Sequence, residues 1–168
     1  MIRTLLIAAP ALIMAACATA PAPAPIVAAE RAFADDGYAR GVKASFKAYA
    51  APDAVMFAPE RVYVHHFFGA QSDAPADPSR PHLVWWPLAA GISASGDLGF
   101  TTGPYAYDED RRGYYFTVWQ RQPDGEWKWV IDAGVEADAA RAPGQEARSI
   151  TCPLPHSAAC HRIPPFRT

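Results

Sequence analysis

The sequence predicts an α+β domain in which two or three helices cover one face of a curved antiparallel sheet. Three observations predict it. Helical spacing of apolar residues is confined to the stretch ending near Ala50, with Tyr63–Phe68 readable as a helix turn or a buried strand. Four later segments rich in Trp, Tyr, Phe, Val and Thr alternate with period two, and turn residues separate them. Helices first and consecutive strands afterwards is the order of a layered α+β fold, not of a parallel sheet with crossover helices.

The first element is an address. Met1-Ile-Arg-Thr gives a short positive start, and Leu5 to Met14 is an apolar run too short to span roughly 30 Å of hydrocarbon. Residues 1–16 therefore read as a signal peptide. Ile13-Met14-Ala15-Ala16-Cys17 resembles the bacterial lipobox, which makes Cys17 the lipid-bearing first residue of the mature chain. Ala18, standing where an Asp would retain the protein at the inner membrane, directs the expectation to an outer-membrane anchor facing the periplasm. Residues 17–26 form the lipidated cysteine and a Pro/Ala tether, ATAPAPAP, which favours extended polyproline-like backbone.

The folded domain is expected over residues 27–136. Val27, Phe33 and the alanines between them suit a short helix, and Asp35-Asp36-Gly37 is expected to interrupt it, with Asp36 capping the next element. Tyr38, Val42, Phe46 and Tyr49 recur at three- and four-residue intervals, a second amphipathic helix closed by Ala51-Pro52-Asp53. Ala54–Phe57 is a short strand, and a loop spans Gln71 to Pro81. The four strands follow at Leu83–Ser93, Leu98–Tyr107, Gly113–Gln122 and Glu126–Val135, with Pro123-Asp124-Gly125 a strong hairpin signal. Residues 137–168 read as an irregular tail.

Composition bounds the function. Among 168 residues, 15 basic and 17 acidic side chains leave a formal charge of −2 without any basic stripe, which argues against a nucleic-acid partner. About half the chain is apolar, enough for one core. No residue set implies a cofactor. The spacing Cys152-x3-His156-x3-Cys160-His161 invites zinc, but outside the cytoplasm the two thiols left after Cys17 is acylated are expected to pair as a disulfide, Cys152 with Cys160. No metal site is expected.

The runs Ser95-Gly-Asp-Leu-Gly-Phe-Thr-Thr-Gly-Pro-Tyr105 and Tyr115-Phe-Thr-Val-Trp-Gln-Arg-Gln-Pro-Asp-Gly-Glu-Trp-Lys-Trp-Val-Ile-Asp-Ala-Gly134 resemble the SnoaL-like branch of the nuclear-transport-factor-2-like superfamily. Within it they are most similar to a bacterial domain family of unknown function. The resemblance implies a cone: a strongly bent sheet wrapped around helices, enclosing an apolar pocket open at one end. It does not imply one activity, since the fold hosts dehydratases, isomerases, hydrolases, binding modules and dimerisation domains.

Asp132 is the best candidate for chemistry. It interrupts the apolar strand Trp129-Val-Ile-Asp-Ala, where a charge is costly unless it meets a wet cavity or a partner, and burial there would raise its pKa toward that of a working base. Its alternative role is a structural acceptor. A two-residue Asp124-Gly125 turn would place Thr117 opposite Asp132, with Tyr115 and Trp119 on the same face; a loop one residue longer would place Phe116 there. Tyr115, Thr117, Trp119, Trp86 and Asp132 are thus the expected ligand-contacting set. Asp97 reads as turn chemistry, His65 and His66 diverge from one another, and His82 has no partner legible in the sequence. The expectations are an envelope lipoprotein binding a small, largely apolar molecule; a hydro-lyase or isomerase using Asp132 as base; or a dimerising interaction module, in which surplus aromatics form a homodimer face.

Overall fold

The computed structural model of the protein describes residues 22–69, 77, 79–145 and 150–153. The expected signal peptide (residues 1–16), Cys17 and Cys160 lie outside them, and of Cys152 only the backbone is described.

Among the described residues, three helices and eight strands form the domain. α1 (Ala24–Arg40) and α2 (Val42–Tyr49) come first, followed by β1 (Ala50–Phe57), β2 (Arg61–Tyr63) and α3 (Val64–Gly69). β3 (Leu83–Trp85), β4 (Ala89–Ile92), β5 (Leu98–Tyr107), β6 (Asp110–Arg121), β7 (Trp127–Glu136) and β8 (Ile150–Pro153) complete it. All strands join one sheet in the order β2-β1-β7-β6-β5-β4-β8, with β3 pairing β5 beside β4. The architecture is the expected α+β one: helices against the concave side of a large, unclosed, antiparallel-rich sheet.

α1 is longer than the sequence suggests at both ends. It starts at Ala24, inside the expected tether, because Pro25 occupies a first-turn position where its missing N–H costs nothing. It runs through Asp35-Asp36-Gly37 without interruption. Asp36 caps nothing and instead pairs with Arg40 one turn on, at 2.5 Å. Gly37 is needed because a Cβ there would stand 2.7 Å from the ring of Trp85. The break falls at Gly41, whose φ of 89° favours glycine.

The expected strand Leu83–Ser93 is two strands, β3 and β4, separated by Trp86-Pro87-Leu88. Pro87 has no N–H for a ladder. The tail differs as well. Ala139 and Ala142 are buried, and β8 pairs in parallel with β4, so part of the segment read as irregular belongs to the domain.

The β6–β7 hairpin sets the register of the site. Its loop is Pro123-Asp124-Gly125, closed by Gln122 N–H donating to the Glu126 carbonyl at 2.7 Å, with Gly125 at φ 90°. That is the longer of the two loops considered, and it pairs Trp119 with Trp129. Val130 then bulges, and beyond it Val118 pairs Ile131 and Thr117 pairs Asp132. The bulge returns the register to the one a tighter turn would have given.

Phe33 of α1 centres the core. Its ring lies 4.9 Å from those of Phe46 and Trp85 and 6.1 Å from those of Trp119 and Trp129. The opposite sheet face is different: Phe116, stacked on Phe100 at 5.4 Å, shares it with exposed Tyr114, Ile131 and Val135.

Candidate functional site

Between the helices and the inner sheet face lies a cavity of about 330 Å³. Its walls come from α2 (Val42, Phe46), from α3 (Phe67, Phe68), and from the ends of β1 and β3 (Met56, Phe57, Leu83, Trp85). β5 adds Tyr105 and Tyr107, β6 adds Tyr115, and β7 adds Asp132, Ala133 and Gly134. Asp132 is the one carboxylate among the lining residues described.

Asp132 is held on one side. The hydroxyl of Thr117, itself fully buried, donates to Oδ2 at 2.8 Å, and no other described residue hydrogen-bonds the carboxylate. Burial pushes the carboxyl up to about 6, against the opposing effect of the Thr117 bond, which favours the charged form.

Of the expected contact residues, Asp132 and Tyr115 line the cavity, and Thr117 supports it from behind. Trp119 and Trp86 do not line it. Trp119 is wholly buried, and its Nε1 donates to Glu30 Oε2 at 3.0 Å and to Thr101 at 2.9 Å. Trp86 turns to the other side of the sheet, where Nε1 donates to the Pro143 carbonyl at 3.0 Å and Arg111 lies over the ring. The adjacent Trp85 points inward instead, because alternation gives two successive tryptophans opposite faces and tight Gly103 packs against the Trp86 backbone.

The residue sequence reasoning missed is Glu30. It is fully buried on α1, where Oε1 accepts from Trp85 Nε1 at 2.6 Å and Oε2 accepts from Thr101 and Trp119. Burial pushes it up to about 7, and the nearby charge of Asp132 adds to the rise. A signal for it was present. Ile26, Glu30, Phe33 and Gly37 fall on one helical stripe, so the carboxylate had to enter the core.

Glu30 and Asp132 both act on Tyr115, whose hydroxyl is enclosed in the core with the Thr101 side chain beside it but no hydrogen bond of full geometry among the described residues. Burial first, then Glu30 and Asp132, raise its pKa well above the ordinary value.

The other candidates are structural. Asp97 accepts from Ser93 and Ser95 in its turn, His65 meets the Ala51 carbonyl at 3.1 Å, and His82 has a partner after all, donating its backbone N–H to Asp108 at 3.0 Å. No group of three His, Cys, Asp or Glu among the described residues could hold a metal ion.

Compared by sequence, the chain matches no family model and no curated protein. Solved structures resemble it. A candidate ketosteroid isomerase from Parabacteroides distasonis superposes with a TM-score of 0.50 at 14% identity, over 69% of this chain and 88% of that one. A ketosteroid isomerase-like protein from Erwinia carotovora gives 0.47 at 11% identity, over 68% and 97%. An NTF2-like protein from Cytophaga hutchinsonii gives 0.45 at 17% identity, over 67% and 95%. At 14% identity the likeness to the Parabacteroides structure is one of fold, and it agrees with the bent sheet and inner helices described above: the chain has the α+β fold that its resemblance to the nuclear-transport-factor-2-like superfamily implies.

Proposed function

We propose that the protein binds a small, largely apolar molecule in the cone, with a polar group of that molecule against Asp132. The observation that carries this reading is the cavity itself: about 330 Å³, walled mainly by apolar and aromatic side chains, with a carboxylate tethered by Thr117 at one oxygen and, among the described residues, unbonded at the other.

A second reading is catalysis, with Asp132 as the base of an isomerase or hydro-lyase. Its support is a carboxyl at about 6, which titrates close to neutral pH. Binding is preferred because Thr117 is the carboxylate's only hydrogen-bond partner among the described residues, and the Tyr115 hydroxyl would have to turn out of the core to act as a donor.

Native mass spectrometry of the protein exported to the periplasm tests the reading. A retained small molecule that is lost in Asp132→Leu is expected. An empty protein that also leaves its tryptophan fluorescence unchanged across a panel of small aromatic molecules would sink it.

The sequence supports two further parts of the proposal. The domain is displayed at the outer membrane toward the periplasm, anchored through lipid on Cys17, with Cys152 and Cys160 joined. Cys17→Ser is expected to move the protein from the detergent phase to the aqueous phase on Triton X-114 partitioning. The domain also self-associates through its outer sheet face, where Phe116, Tyr114, Ile131 and Val135 form an exposed apolar group.

A further inference from the structure

We infer that the cavity is built for an organic cation, a small amine or quaternary ammonium carrying an apolar body. The inference rests on the binding reading above and adds the chemical class of the ligand.

The first observation is charge. Asp132 lines the cavity, Glu30 lies fully buried just behind the wall, and the two are close enough to repel. No Lys, Arg or His is among the described lining residues. The partners of the two carboxylates are indole N–H groups and hydroxyls, none of them charged. A fully buried carboxylate and a second, half-buried one at the cavity wall, with no counter-charge beside them, are costly to ionise together, and both are raised, Glu30 to about 7 and Asp132 to about 6. A bound cation supplies the missing charge. A neutral alcohol or phenol could hydrogen-bond Asp132, yet it would leave the repulsion in place. An anion would add to it.

The second observation is the wall. Eight of the fifteen lining residues are aromatic, with Trp85, Phe46 and Tyr115 from the inner side and Tyr105 and Tyr107 from the strand end. Aromatic rings attract cations through the negative faces of their π systems, and desolvation strengthens the attraction. Neutral apolar ligands are served as well by Leu or Val walls; a carboxylate set among rings is the combination that favours an alkylammonium.

The groups that govern the pH response are few. Glu30 of α1 and Tyr115 and Thr117 of β6 face Asp132. At the strand end, Glu136 and Arg112 act on Tyr105 with opposite sign.

Phenyltrimethylammonium and tert-butylbenzene test the inference, since they share one shape and differ by a charge. Titrated into the full-length protein at pH 8, with tryptophan fluorescence as the readout, the cation is expected to bind at least tenfold more tightly. That preference should shrink at pH 5, where Asp132 is protonated, and should vanish at pH 8 in Asp132→Asn, which keeps an acceptor for Thr117. If tert-butylbenzene binds as well as the cation, or if the preference is unchanged at pH 5, the organic-cation assignment is overturned while the binding reading stands. If neither compound binds, the organic-cation assignment is likewise overturned, and the binding reading is decided by the native mass spectrum and the aromatic panel.

Discussion

The hydroxyl of Thr117 donates to Oδ2 of Asp132 across 2.8 Å, from a strand position where Thr117 itself is wholly buried. A buried hydroxyl on a carboxylate stabilises the charged form and fixes its orientation.

Thr117→Val keeps the shape and removes the bond. The expected result is a loss of about 1–2 kcal/mol on urea unfolding. Asp132 should titrate above its present value of about 6, as followed by carboxyl carbon NMR. An unmoved titration would show that the bond does not govern the charge.

The two raised carboxyls make a pH prediction. Glu30 and Asp132 each hold a proton in the folded state at pH values where the unfolded chain has released it. Their contribution is therefore fully present below about pH 4, the ordinary carboxylate range, and is lost as pH rises through about 6 and then about 7. Unfolding free energy should fall by on the order of 6 kcal/mol at most across that window. Denaturant titrations at several pH values measure it. In Glu30→Met the slope should flatten, and an equally steep slope there would assign it to other groups.

Gly37→Ala sets two effects against each other. Alanine gains about 1 kcal/mol of helix propensity over glycine. Its Cβ would stand 2.7 Å from Cη2 of Trp85, a ring held by Glu30 and by the edge of Phe33. The ring can shift only by straining its bond to Glu30, so a net loss of about 1–2 kcal/mol is expected. A stabilised variant would mean that the Trp85 wall yields easily.

Self-association is checked at Phe116, which is 44% exposed and stacked on Phe100. By sedimentation equilibrium the unaltered protein should be a dimer and Phe116→Glu a monomer, with the fold retained because the side chain points away from the core. A monomeric unaltered protein refutes the outer-face proposal.

Much of this arrangement was legible in the sequence, and the exceptions have physical causes. β5, β6 and β7 announced themselves through period-two aromatics and glycine turns, since those signals are local. The pairing of Thr117 with Asp132 was legible only as one of two registers, and the loop turned out to be the longer one. What restored the pairing was the bulge at Val130, which no turn rule forecasts. The sequence does not tell which of Trp85 and Trp86 faces inward, because neighbouring tryptophans leave the phase of a strand undefined until its partner is known. Glu30 was overlooked because an alanine-rich helix shows almost no amphipathic contrast, so its apolar stripe is faint. The continuation of α1 through Gly37 depended on a ring from a strand nearly fifty residues later in the chain.

The bulge at Val130 has one more consequence. Trp129 and Asp132 both face inward although they are three residues apart, a spacing that a regular strand would send to opposite faces. β7 is therefore read in two phases, one for each side of Val130. Substitutions before it are judged by how the helices pack, and substitutions after it by what the cavity admits. A descendant of this chain could reshape the cavity through the second half of the strand while inheriting the first half intact.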